Sequence, residues 1–245
     1  MLGVHLSGIV AGISAVPAVL AILGRKVLPL PVELVLIHMA AAGFTVAVAS
    51  TGPWANKTTW LLGKTQRGYI PLWSRILWWP YHLGLRTKLR TQRKVSTEDG
   101  WNQITPCYFL GAWPSEEALV PTVKPAVLDV TCELPLQVIP PAYLCLPVWD
   151  THGPTPRLIE KGVQWAGEMR AAGRPVLVHC AHGHGRSATV LCAILMAEGQ
   201  ASSIDEAEAL LMAKRPRVKL NERQRNALTK WLKKRDSLSK LVKQQ

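Results

Sequence analysis

What the chain lacks narrows it first. Its five cysteines (Cys107, Cys132, Cys145, Cys180, Cys192) are odd in number, scattered, and without the spacing of a disulfide framework. That excludes a disulfide-stapled secreted scaffold, and a reducing compartment is expected for the globular part. Acidic residues are missing from residues 53–97, which carry nine lysines and arginines. No basic region precedes the apolar start, its apolar run is too long for a signal peptide, and a second run follows at once. Cleavage of the N-terminus is therefore not expected. His152, His179, Cys180, His182 and His184 have metal-ligand chemistry, but no second ligand pair stands at zinc-site spacing. No metal and no cofactor are expected.

Two long apolar runs are present, residues 2–24 and 32–50, joined by a short Arg25–Lys26 link that ends in Pro29 and Pro31. Each is long enough to cross a hydrocarbon core of roughly 30 Å as a helix. Residues 1–52 are expected to form a transmembrane helical hairpin. Residues 53–100 interleave Trp54, Trp60, Trp73, Trp78, Trp79 and Tyr81 with Lys57, Lys64, Arg67, Arg75, Arg86, Lys88 and Arg90. Tryptophan favours the headgroup region and cationic side chains contact lipid phosphate, so an anionic lipid surface is the expected partner, not a nucleic acid. The positive-inside rule puts residues 53–245 on the cytoplasmic, or equivalent inner, side of a multi-pass protein. The sequon at Asn56 then faces the wrong compartment.

A globular domain is expected over 101–240. Cys107–Gly111, Ala126–Thr131, Tyr143–Val148 and Val176–Val178 read as short buried strands. Thr155 with Pro156 opens a helix that runs to Gly173, Ser203 to Glu206 form a capping box, and a basic last helix starts at Asn221. Strands separated by helices predict an α/β domain with a central, mainly parallel sheet and an active site at the strands' carboxyl ends.

The chain is organised around residues 176–189, Val-Leu-Val-His-Cys-Ala-His-Gly-His-Gly-Arg-Ser-Ala-Thr. A strand, a glycine-punctuated loop and a helix N-terminus in that order cradle an anion with backbone N–H groups and the helix dipole. The amides of Ala181, His182, Gly183, His184 and Gly185 are the expected cradle. The same field lowers the pKa of a thiol, which makes Cys180 a nucleophile. Arg186 is placed to fork two phosphate oxygens, and Ser187 to hydrogen-bond the sulfur. Asp150, thirty residues before Cys180 on a strand-end loop, is the candidate general acid. Asp129 is its rival. His179 is expected to order the loop by hydrogen bonding.

The pattern His-Cys-x5-Arg-Ser resembles the cysteine-dependent protein tyrosine phosphatases, in their compact dual-specificity branch, over about residues 102–235. The resemblance implies hydrolysis of phosphate monoesters through a phosphocysteine on Cys180, without metal. It implies a general-acid role for Asp150 and a water-placing role for Gln224. Asn221 and Gln224 also read as a plain capping box, and both readings stand. The expected substrate is a phosphoprotein or a phospholipid headgroup; lipid-acting relatives carry an extra basic residue in the loop, where this chain has His182 and His184. If these histidines charge, phosphate binding strengthens below about pH 6.5. A catalytically silent, membrane-anchored phosphate-binding module is the alternative.

Overall fold

The computed structural model describes residues 6–243 and resolves into two compact units. One comprises residues up to Gly63 together with Ile70–Thr97; the other comprises Lys64–Tyr69 together with the chain from Glu98 onward.

In the first unit, α1 (Leu6–Gly24) and α2 (Leu30–Ala49) pack side by side. Residues 2–5 of the first apolar run lie outside the described residues. The contact is close because Gly43 has no Cβ where Ser14 Oγ sits, the small-residue packing that brings helices together in lipid. Ile13, Val16, Leu20 and Leu23 on α1, with Leu34, Val35 and Val48 on α2, are exposed. Both helices are long and apolar enough to cross a membrane, and their exposed apolar residues fit association with one. Beyond them, α3 (Leu72–Leu77) and α4 (Trp79–Val95) carry the later part of the basic, tryptophan-rich sequence as helix, while residues 53–71 run mostly through turns. Pro80 sits in the first turn of α4, where its missing N–H costs nothing.

The second unit is built on a five-stranded sheet of order β1 (Trp101–Gln103), β2 (Tyr108–Gly111), β5 (Val176–His179), β3 (Ala126–Asp129), β4 (Tyr143–Cys145). Only the edge strand β1 is antiparallel. The strand before the cysteine loop is thus the central one, buried on both faces, which its Val-Leu-Val run requires. Alternate residues feed two cores. Tyr108, Leu110, Leu128 and Val178 join the helices α5 (Pro156–Ala171), α6 (Arg186–Ala197), α7 (Ile204–Lys214) and α8 (Glu222–Lys243). Phe109, Val127 and Leu177 pack on the other face with Trp101 and Tyr143. Strand order, parallel pairing and flanking helices match the expected α/β architecture.

Two local expectations are adjusted. The expected strands Ala126–Thr131 and Tyr143–Val148 are strand only to Asp129 and Cys145, where the ladder between them ends. Ser203 Oγ accepts from Glu206 N at 3.1 Å, but the Glu206 carboxylate turns to Ser202 N and Oγ, so the capping box is only half closed.

Candidate active site

The loop from Cys180 to Gly185 joins the C-terminal end of β5 to the N-terminus of α6. Gly183 takes φ 77°, and a Cβ there would stand 2.5 Å from Gly111 O, so only glycine fits. Gly185 has an ordinary φ and lies against the amide end of Gln224, whose Nε2 is 2.6 Å from a Cβ position and would have to shift for a larger residue. The loop's carbonyls are held from outside. Ala181 O accepts from Trp113 N, His182 O and Gly183 O accept from Arg215 at 2.9 and 3.2 Å, and His184 O accepts from Lys219 N. Carbonyl and amide of one peptide unit point in opposite directions, so these bonds turn the next N–H groups inward. Gly183 N indeed donates to Cys180 Sγ at 3.3 Å.

Cys180 is buried, and burial by itself would raise its pKa. The Arg186 guanidinium and hydrogen bonds from Ser187 outweigh burial and hold the thiol below its ordinary range. Ser187 Oγ donates to Sγ at 3.3 Å. Arg186 is 1% exposed, yet it stays charged: burial opposes the charge, but Glu133, Asp150 and Cys180 together raise its pKa well above the usual value. Glu133 grips it with both oxygens, at 2.7 and 3.0 Å, and Val148 O accepts a further hydrogen bond from Nη1 at 2.8 Å. Its Nε is buried without a hydrogen-bond partner among the described residues.

Asp150 lies beside this guanidinium, Oδ1 3.2 Å from Arg186 Nη2, and is partly exposed. Thr151 after it takes φ 64°, a strained backbone for a β-branched residue, and its N–H donates to Asp150 Oδ1 at 3.0 Å. Thr155 caps α5 by accepting from Leu158 N at 3.3 Å, so Asp150 is not needed as the helix cap. Asp129 is buried at the end of β3, away from solvent, bonded to Lys64 and Thr131. His179 Nδ1 is 3.3 Å from Cys180 O, and its Nε2 faces Asp129 Oδ2 at 3.6 Å. Burial, with Lys64 and Arg186 nearby, lowers its pKa despite Asp129.

Gln224 makes the reciprocal box with Asn221, at 2.9 and 3.0 Å, while standing against Gly185. The helix cap and the contact with the loop are therefore one arrangement. His182 and His184 stack, ring centroids 6.0 Å apart, and His184 Nε2 meets Glu98 at 2.7 Å. Burial lowers the His184 pKa in spite of Glu98, which moves its charging below the ordinary imidazole range. Among the described residues no cluster of metal-ligating side chains is found.

Three groups escape a reading of the sequence. Glu133 is an acid in an apolar stretch, four residues after Asp129, a detectable signal, since a buried carboxylate needs a cation. Arg215 is masked by its place at a helix end. Lys64 is masked by eight other basic residues in the same segment.

Residues 125–234 match the family model described as "Dual specificity phosphatase, catalytic domain". Over 191 residues the chain is 28% identical to the Arabidopsis thaliana phosphatidylglycerophosphate phosphatase PTPMT2, covering 72% of this chain and 80% of that protein. The crystal structure of human DUSP28 superposes with a TM-score of 0.50 at 25% identity, covering 55% of this chain and 94% of the other. With the sheet order and the His-Cys-x5-Arg-Ser loop already described, these likenesses make residues 125–234 a catalytic domain of the dual-specificity phosphatase type and the chain a phosphatase.

Proposed function

We propose that the chain is a membrane-anchored phosphatase that removes the phosphate of a phospholipid headgroup through a phosphocysteine on Cys180. The observation that carries the chemistry is the single cluster of Cys180 Sγ, Ser187 Oγ, the Glu133-gripped Arg186 and Asp150. Three things support the lipid substrate. A relative at 28% identity is named for phosphatidylglycerophosphate. Two apolar helices precede the domain. The segment between them and the domain is basic and rich in tryptophan. On this reading residues 2–50 span the membrane twice, and the positive-inside rule sets the catalytic unit on the cytoplasmic or equivalent inner face.

In the first step the Cys180 thiolate attacks phosphorus and the bond to the leaving alkoxide breaks. Asp150 gives that oxygen its proton. Arg186 and the amides of Ala181 to Gly185 hold the equatorial oxygens, where charge spreads in the transition state. In the second step water attacks phosphorus, Asp150 takes the proton, and the sulfur–phosphorus bond breaks to return the thiolate and inorganic phosphate. Ser187 stabilises the departing sulfur. Gln224, beside Gly185, is placed to orient the water. His179 holds the loop, and no metal or cofactor enters the scheme.

The test is phosphate release by the full chain, with phosphatidylglycerophosphate vesicles and a phosphotyrosine peptide as parallel substrates and Cys180→Ser as control. Release from vesicles well above release from peptide is expected. Release chiefly from peptide overturns the lipid assignment and leaves a protein phosphatase. Release from neither revives a silent phosphate-binding module.

A further inference from the structure

Lys64 differs from the other basic residues of its segment. It belongs to the short stretch Lys64–Tyr69 that joins the catalytic unit, although the residues before and after it belong to the other unit. Its side chain is 0% exposed. A buried ammonium is costly unless all three of its protons are met. Here they are: Nζ donates to Asp129 Oδ2 at 2.6 Å, to Thr131 Oγ1 at 2.8 Å and to Thr131 O at 2.9 Å. Burial alone would strip the charge, but Asp129 and its neighbours raise the Lys64 pKa, and burial likewise fails to neutralise Asp129 against Lys64 and His179.

The group does not touch the substrate cradle, yet it stands one residue behind it on two routes. Asp129 pairs with His179 across the β3–β5 ladder, and His179 immediately precedes Cys180. Thr131, which Lys64 holds by carbonyl and hydroxyl, opens the turn to Glu133, and Glu133 aims Arg186. We propose that Lys64 is a positioning residue of this phosphatase, acting through Asp129 and the 129–133 turn on His179 and Arg186. This rests on the reading of Cys180 as the nucleophile.

The charges facing the pair define what removal does. Around Asp129 stand Lys64, His179 and the Tyr143 hydroxyl, which donates to Oδ2 at 2.8 Å; around His179 stand Asp129, Lys64 and Arg186. With Lys64 present the carboxylate is answered and His179 stays neutral. Without it, Asp129 keeps only neutral donors and His179, so the imidazole takes a proton at higher pH. An imidazolium then sits directly behind the nucleophile. Thr131 loses its anchor as well, and the Glu133–Arg186 fork is free to shift.

The experiment uses the full chain in detergent micelles with p-nitrophenyl phosphate, across acidic to mildly alkaline pH. It compares Lys64→Met, the double variant Lys64→Met/Asp129→Asn, and Cys180→Ser. Lys64→Met is expected to lose about 10- to 100-fold in kcat with KM little changed, the scale of a small misplacement of catalytic groups. Its kcat profile gains an ionisation from His179 at higher pH than in the wild type. The double variant removes the unpaired carboxylate, so it folds even where the single variant does not; it loses the new ionisation but stays below the wild type in kcat. A folded Lys64→Met, or a double variant, with wild-type kcat and pH profile overturns the inference while Cys180→Ser is dead. Release that survives Cys180→Ser overturns the nucleophile assignment, and this inference with it.

Discussion

At Cys180 two opposing effects meet, and the outcome sets the working pH. Burial favours the neutral thiol, whereas Arg186 and the Ser187 hydrogen bonds favour the thiolate and prevail. A depressed pKa means that the reactive form persists to lower pH than for a free thiol and is lost as pH falls through that depressed value. Alkylation of Cys180 by iodoacetamide should therefore reach its plateau below the range of a free thiol. Ser187→Ala should move the midpoint toward alkaline pH, because a donor to the sulfur is gone. An unmoved midpoint removes Ser187 from the account. Arg186 allows a sharper test. Its planar fork meets both Glu133 oxygens and Val148 O at once, which a lysine point charge does not reproduce. Arg186→Lys is expected to cost about 10²–10³ in kcat, the scale of losing a preorganised transition-state donor. Near-wild-type turnover in a folded Arg186→Lys would show that charge alone suffices.

At the scale of elements, the cysteine loop and the Asp150 loop each turn on a residue of positive φ, unstrained at Gly183 and strained at Thr151. The loop's shape rests on Gly183, where positive φ and the Gly111 carbonyl both exclude a Cβ. That was legible, because glycines between a β-branched run and a helical pattern have few other uses. So were the central strand, the parallel sheet, the Thr155 cap and the Cys180–Arg186–Ser187 constellation, all of which follow from local spacing. Thr151 was not legible, since nothing local marks a threonine for φ 64°. Such a conformation costs on the order of 1–3 kcal/mol and persists only where the surroundings impose it. Thr151 O accepts from Asn221 Nδ2 at 2.9 Å, and its N–H holds Asp150 Oδ1, so the strained residue ties the Asp150 loop to the start of α8. Thr151→Gly should raise stability by a few tenths to about 1 kcal/mol in chemical denaturation. It should also lower kcat by letting Asp150 wander. A stability gain with unchanged kcat would mean that the strain has no part in placing Asp150.

For the molecule as a whole, the distribution of charge matters more than its total. Residues 53–97 hold nine basic side chains and no acid, and composition groups residues 53–100 as one uniform stretch. Lys64 nevertheless serves the catalytic unit, because its partner Asp129 is 65 residues further on and no local pattern can reveal it. The remaining basic residues, with exposed Trp54, Trp60 and Trp73, suit a membrane surface. Two attachments of different physics are then expected in one chain. The apolar helices hold by burial in hydrocarbon, which salt does not weaken. The basic segment holds by attraction worth about 1 kcal/mol per cation near an anionic surface, screened as the Debye length drops from about 10 Å at 0.1 M salt to about 3 Å at 1 M. A chain lacking residues 1–52 should sediment with phosphatidylglycerol vesicles at low salt and be released at about 1 M salt, while the full chain stays bound at both. Failure of the shortened chain to bind at low salt would take the basic segment off the membrane. The consequence for catalysis follows from tethering. A membrane-held domain meets headgroups at an effective concentration in the millimolar range, whereas a released one must find them by diffusion. Turnover of vesicle substrate by the shortened chain should thus collapse with added salt, and its turnover of p-nitrophenyl phosphate should not.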